Sequence, residues 1–247
     1  MSAKDFICLS FLTPPEKVLS MLKGQRGLLV MKYLFNRYNL KTWILFILSA
    51  IAACIVLPDL PEIIPTHFNM SGEVDGYGSR YMIFLAPVTI LICQVLAEVC
   101  RAIDPKKENY DKFKKYYYQL FFGIGLIMLV MQGVTIAAAF GRNPHVDTIM
   151  PVMLGILFIF IGNMMPKFEH NFMAGIKTSW TLANEQVWKE THRFGGKVWM
   201  IGGFLSILTV LLPAFWRFIA FLAVVIIITI IPIVFSYIRY KKYNTGI

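Results

Sequence analysis

The residues able to do acid–base or metal chemistry in this chain are few and dispersed. Four histidines, His67, His145, His170 and His192, stand among 14 Asp and Glu in 247 residues. A zinc site needs three or four such groups to converge, and the local candidate is His67 with Glu62, Asp75 or His145. Polar side chains in a turn-rich segment more often bond their own backbone, so neither a metal nor a cofactor is expected. Glu190 and His192 are a second acid–base pair, but two positions apart on a helix they point in different directions. HExxH, G-x-S-x-G and phosphate-cradling glycine loops do not occur. No catalytic residue is therefore expected, and the chain reads as a non-enzyme.

The polar residues instead concentrate in one stretch, Gly162 to Gly196, lying between two membrane-length apolar runs. A connection that only joined two helices would need far fewer residues. Pro166 and Gly175 mark an irregular first part. Thr181 then caps a short helix that is expected to run to Phe194 and stop at Gly195 and Gly196. On that helix Asn184, Trp188 and His192 recur at i, i+4 and i+8, nearly on one face. Trp180 and Trp188 read as interfacial anchors, with the polar face of Asn184 and His192 presented to a protein partner.

Composition says what must position these groups. A hydrophobic content of 57%, only 15% charged residues and a mean hydropathy of +0.62 lie outside the range of soluble domains. Six apolar runs, roughly 43–57, 81–100, 118–140, 149–163, 197–213 and 218–237, each approach the ~20 residues that cross a bilayer. The fold class is thus an all-α polytopic membrane protein of six transmembrane helices. It divides into a basic tail (1–40), a first membrane region (41–140) with an outer loop at 58–80, and a second (141–247) carrying the 162–196 loop. Because Met31 opens an ordinary membrane-protein start, residues 1–30 read as a loosely attached extension. Cys8, Cys54, Cys93 and Cys100 show no CxxC spacing and are expected as free thiols.

The net charge of +10 would suit nucleic acid, but its distribution suits a bilayer better. Alternate connections hold seven, six, five and three Lys or Arg, 21 in all, whereas the intervening ones hold only Arg80, Arg142 and Arg217. Positive charge accumulates on the cytoplasmic side, so both termini and the 162–196 loop are expected inside and direct nucleic-acid binding is not. The 58–80 loop then faces outward. Pro58, Pro61, Pro65, Gly72, Gly76 and Gly78 make it turn-rich and irregular, and Asp59, Glu62, Glu73 and Asp75 make it acidic. In the Asp75-Gly76 pair the glycine is expected to take a positive φ.

Within the spans, Glu98 precedes Arg101 by three residues and reads as a helix-end ion pair reaching for the interface. Gln94, Gln132 and Asn163 are too scattered to trace a substrate path. Gly195, Gly202, Ser206 and Thr209 share a small-residue face suited to close helix packing.

The spacing GN-x-MPK, then N-x(3)-GIKT-x-WTL-x-NE-x-VW-x(2)-TH-x(3)-G, resembles the signature of the SdpI family, bacterial membrane proteins that confer immunity to a secreted killing peptide. The matching residues are Asn163, Met165, Pro166, Lys167, Asn171, Gly175, Thr178, Trp180, Thr181, Asn184, Trp188, Thr191, His192 and Gly196. The family usually carries proline where this chain has His170, so the loop is expected to start with a different bend. The string IPTHFN-x(2)-G-x(2)-DG-x(2)-SR resembles a second domain signature found ahead of this loop in larger family members.

The resemblance implies an immunity protein of the bacterial plasma membrane with two partners besides the lipid bilayer. One is a secreted peptide toxin, for which His67, Asn69, Gly72, Asp75 and Gly76 of the outer loop are the candidate residues. The other is a cytoplasmic transcriptional repressor recruited when toxin is present. Its candidate residues are Asn163, Pro166, Lys167, Asn171, Gly175, Thr178, Trp180, Thr181, Asn184, Trp188 and His192. A small-solute transporter or channel is the alternative, and a membrane-embedded metal hydrolase the second alternative.

Overall fold

A computed structural model describes residues 36–245. The suggested 1–30 extension lies outside the described residues. Six helices among them are long and apolar enough to cross a membrane, spanning Leu40–Asp59, Arg80–Ile103, Lys107–Ala139, Val146–Lys167, Glu185–Leu211 and Ala214–Asn244. Their α-helical parts are α1 (Leu40–Val56), α2 (Leu85–Ile103), α3 (Tyr110–Ala139), α4 (Val146–Met164), α6 (Glu185–Leu208) and α7 (Ala214–Thr245). A short helix, α5 (Ser179–Ala183), precedes α6. Exposed Ile, Leu, Val and Phe along α1, α2 and α7 form the surface that faces hydrocarbon.

The 58–80 loop is more ordered than expected. It forms an antiparallel hairpin of β1 (Ile63–Phe68) and β2 (Val74–Ser79). Pro65 is tolerated because both strands of a two-stranded sheet are edges, where a missing N–H costs no ladder bond. Asn69 turns the chain: its Oδ1 accepts from the N–H groups of Ser71 (2.9 Å) and Glu73 (3.0 Å). The positive φ belongs to Gly72 (φ 80°), whereas Gly76 has none and sits mid-strand opposite His67. What fixes glycine there is distance, since a Cβ on Gly76 would lie 2.7 Å from the His67 Cβ.

Glycine also sets the tightest helix crossing. Gly155 and Gly162 on α4 face Gly203 and Gly196 on the antiparallel α6. A Cβ at Gly162 would come within 2.6 Å of the Gly196 carbonyl oxygen, and one at Gly155 within 2.7 Å of the Gly203 oxygen. In lipid, where apolar surface gains nothing from leaving the solvent, such close backbone approach supplies the packing. Gly202 lies instead against Ile228 of α7, and Gly195 against Ile176 of the 162–196 stretch, with Met165 and Pro232 behind it.

This geometry corrects the expected helix boundaries. Gly195 and Gly196 do not end a short helix; α6 runs through them from Glu185 to Leu208. Gly196 is there because α4 approaches and Gly195 because Ile176 folds against it, and a rigid span already bonded at i−4 does not need to break at them. The short helix is Ser179–Ala183, and Thr178 rather than Thr181 is its N-cap. Thr178 Oγ1 accepts from the N–H of Thr181 (3.1 Å), and Thr181 Oγ1 accepts in return from the N–H of Thr178 (2.9 Å). Asn184 caps α6, its Oδ1 accepting from the N–H groups of Gln186 (2.8 Å) and Val187 (3.2 Å).

Two buried clusters lie at opposite ends of the bundle. Ala53, Leu60, Ile64 and Ile83 pack beneath the hairpin. At the basic end Ala97, Tyr110, Phe113, Tyr117, Tyr118, Met164, Phe168, Ala174 and Trp188 join α2, α3, α4, the 162–196 loop and α6. Cys54, Cys93 and Cys100 are free thiols.

Candidate functional site

At the basic end, most of the signature residues are used to build the fold. Asn171 folds its own turn, accepting from the N–H groups of Met173 (2.9 Å) and Ala174 (2.7 Å) and donating to the carbonyls of Glu169 and Ala174. Gly175 (φ 128°) lets the chain pass directly over the imidazole of His192; a Cβ there would lie 2.4 Å from Nε2. Trp188 is fully buried, its indole N–H donating to the Phe168 carbonyl at 2.8 Å. His192, 1% exposed, stacks on Trp188 with ring centroids 4.0 Å apart.

The presented polar face expected of Asn184 and His192 is therefore not found: one is a helix cap and the other lies in the core. Nor is Trp188 an interfacial anchor. Trp180 does pack at the side of the bundle, against Tyr237 of α7 at 5.1 Å. Thr178 also reaches α7, its hydroxyl 3.1 Å from that of Ser236. Asn163, Pro166 and Lys167 remain exposed.

Sequence reasoning missed how firmly the α2–α3 connection holds this loop. Asp104 accepts from the Tyr110 hydroxyl (2.8 Å) and the Phe172 N–H (2.9 Å). Asn109 donates to the His170 carbonyl at 2.8 Å, and Lys106 Nζ donates to His170 Nδ1 at 2.5 Å. His170 is buried, and burial first and the Lys106 ammonium second hold its pKa below the ordinary histidine value. The bend at His170 is thus secured by three hydrogen-bonding residues of another connection. Glu98 makes the expected ion pair with Arg101 but is buried rather than reaching for the interface. At 8% exposure it accepts from the Asn39 amide (3.1 Å) and the Tyr118 hydroxyl (2.7 Å), with Arg101 3.8 Å away.

The opposite end carries a cavity of about 590 Å³ between the hairpin, α3, α4 and α7. His67, Asn69 and Asp75, all expected in the outer loop, come together on its rim. His67 Nδ1 lies 2.5 Å from Asp75 Oδ1, an exposed pair worth little to stability by itself. Apolar side chains, among them Met131, Met150, Leu154, Phe218 and Phe221, form the rest of the lining. The turn residue Gly72 packs on the start of α4, where a Cβ would lie 3.0 Å from the Asp147 backbone nitrogen.

Asp147 and Arg217 complete the wall and were missed. Arg217 of α7 donates to the Asp147 carboxylate of α4 and, at 2.8 Å, to the Thr148 hydroxyl. Both charges are largely buried, so each requires the other. The available signal was that Asp147 and Arg217 are isolated opposite charges at the starts of two apolar runs.

The arrangement offers a mixed apolar and polar binding surface. Among the described residues, no three His, Cys, Asp or Glu side chains converge as a metal site would require, and His145 is not part of the His67 group. The cavity can bind through burial and charge.

Comparison with known proteins agrees with the signature. Residues 167–236 match the profile of the SdpI/YfhL protein family, and residues 44–91 match that of a domain of unknown function, DUF1648. The chain is 28% identical over 167 residues to the immunity protein SdpI of Bacillus subtilis (strain 168), covering 68% of this chain and 78% of that protein. No solved structure matches.

Proposed function

We propose, from the match to the SdpI/YfhL family and the similarity to the immunity protein SdpI, that this chain is a multi-pass immunity protein of the bacterial plasma membrane that protects the cell from a secreted, membrane-active peptide toxin. The observation that carries the site assignment is the cavity beneath the hairpin. Pockets of several hundred Å³ with an apolar lining and a few placed polar groups are the usual form of a binding site. A peptide that enters membranes has apolar side chains to seat against Met150, Leu154, Phe218 and Phe221. The rim residues His67, Asn69 and Asp75 offer hydrogen bonds to its backbone. The Lys and Arg distribution supports an orientation with this end outside the cell, where a secreted peptide arrives. Protection on this reading is capture, with no bond made or broken.

The sensing branch, recruitment of a cytoplasmic repressor, we place on exposed residues of the basic end. Lys177, Gln186 and Lys189 are available there, unlike Trp188 and His192. Helix α4 supports such a link, since it lines the cavity at Asp147 and Met150 and packs on α6 through Gly162.

The test is expression in a sensitive host challenged with secreted peptide toxins. Survival above the vector control at confirmed membrane abundance is expected. Survival equal to the vector control across the toxin panel would overturn the immunity assignment.

A further inference from the structure

A second, smaller recess lies at the basic end where α4 crosses α6. Its volume is about 150 Å³, and it is lined by Gly162, Asn163, Pro166, Arg193, Gly196, Lys197 and Met200. It flanks the glycine crossing, where Gly162 and Gly196 bring the two backbones into contact and Pro166 and Met200 pack at either side. We propose that this notch holds the phosphate of an anionic phospholipid, a site independent of the toxin cavity.

The donors suit that chemistry. Arg193 and Lys197 are one helical turn apart on α6, and Asn163 adds an amide from α4. None of the three side chains makes a hydrogen bond or ion pair with another described residue. Both carboxylates of α6 are already engaged, Glu185 by Lys189 at 3.0 Å and Glu190 by Arg239 at 3.0 Å. Two unpaired cations and an amide donor around a recess of this size match a single phosphate with its charge-assisted hydrogen bonds.

Position selects the lipid as the source. All seven lining residues belong to the spanning segments Val146–Lys167 and Glu185–Leu211. Asn163 ends the apolar run 149–163 and Lys197 opens the run 197–213, with Arg193 one turn before it, so the donors border the hydrocarbon on the basic side and Met200 continues the recess toward it. A protein partner would need a patch of roughly 800 Å², far beyond this notch.

The experiment is lipid retention measured by native mass spectrometry. The full chain is released from nanodiscs containing equal amounts of phosphatidylglycerol and phosphatidylcholine. Wild-type protein should retain phosphatidylglycerol preferentially, and excess inorganic phosphate should not displace it. Arg193→Gln/Lys197→Gln should lower that preference roughly 30-fold, the amount two surface cations supply. Lys107→Gln/Lys112→Gln removes the same charge from the same end outside the notch and should leave the preference intact. The proposal is overturned by no preference in wild type, by an unchanged preference in the notch variant, by an equal loss in the control, or by displacement with inorganic phosphate.

Discussion

His192 and Ile176 are 16 residues apart in sequence and share one hydrogen bond, the Ile176 N–H donating to His192 Nε2 at 3.0 Å. The other ring nitrogen, Nδ1, donates to the Trp188 carbonyl at 2.8 Å. Both partners are backbone groups of fixed sense, so the ring is held as the neutral Nδ1–H tautomer. The imidazole fastens the 162–196 loop to α6 from inside.

His192→Ala should therefore act on stability before it acts on recognition. It leaves the Ile176 N–H without its acceptor and opens space beside Trp188, a loss of about 3 kcal/mol. Asn184→Ala removes only a helix cap and should cost about 1 kcal/mol. Thermal midpoints of the purified variants in detergent check the order, and a His192→Ala protein as stable as wild type would contradict it.

The glycine crossing gives a sharper contrast. At Gly162 an added methyl meets the Gly196 carbonyl oxygen, a backbone atom that cannot rotate away, so Gly162→Ala should destabilise by about 1–3 kcal/mol. At Gly133 on α3 nothing lies within 4 Å of an added Cβ, and Gly133→Ala should be neutral or slightly stabilising. Membrane abundance and detergent melting of the two variants read the difference.

Much of the architecture was legible because apolar run length leaves few alternatives for a chain of this composition. The helix breaks inside 162–196 were not. Thr181, Gly195 and Gly196 look like punctuation in one dimension, but Thr181 is the third helical residue of a capping box, and the glycines answer to Ile176 and to α4. Periodicity put Asn184, Trp188 and His192 on one face, yet it cannot say whether that face meets solvent or a loop folding back over it. In the outer site His67, Asn69 and Asp75 stood out as polar residues in a short turn-rich segment. Asp147 and Arg217 could be joined only by the tertiary fold, being 70 residues apart.

The hairpin glycines should fail for different reasons. Gly76→Ala drives a methyl into His67 across the strands and should shift the rim of the cavity, lowering protection with little change in abundance. Gly72→Ala forces a non-glycine residue to φ 80° against the start of α4, with a cost of about 1 kcal/mol. Survival under toxin at matched abundance distinguishes them, and a fully protective Gly76→Ala protein would remove the hairpin rim from the site.

His170 predicts a pH dependence of known sign. With its pKa below the usual 6.5, the unfolded chain takes up a proton first as pH falls, while folded His170 stays neutral beside Lys106, Asp104 and Glu185. Stability should thus decline from pH 7.5 toward 5.5. His170→Gln should flatten that decline, and an equally steep melting profile in the variant would assign the dependence to other groups.

The central claim, that toxin is captured in the cavity beneath the hairpin, is tested most directly by filling the cavity. Met150→Trp places an indole among Leu154, Phe218 and Phe221, whereas Ile226→Trp adds the same bulk at an exposed position on α7. Toxin survival is measured in a sensitive host with both variants at wild-type membrane abundance. The account predicts that Met150→Trp loses protection and Ile226→Trp keeps it; full protection by Met150→Trp would contradict it.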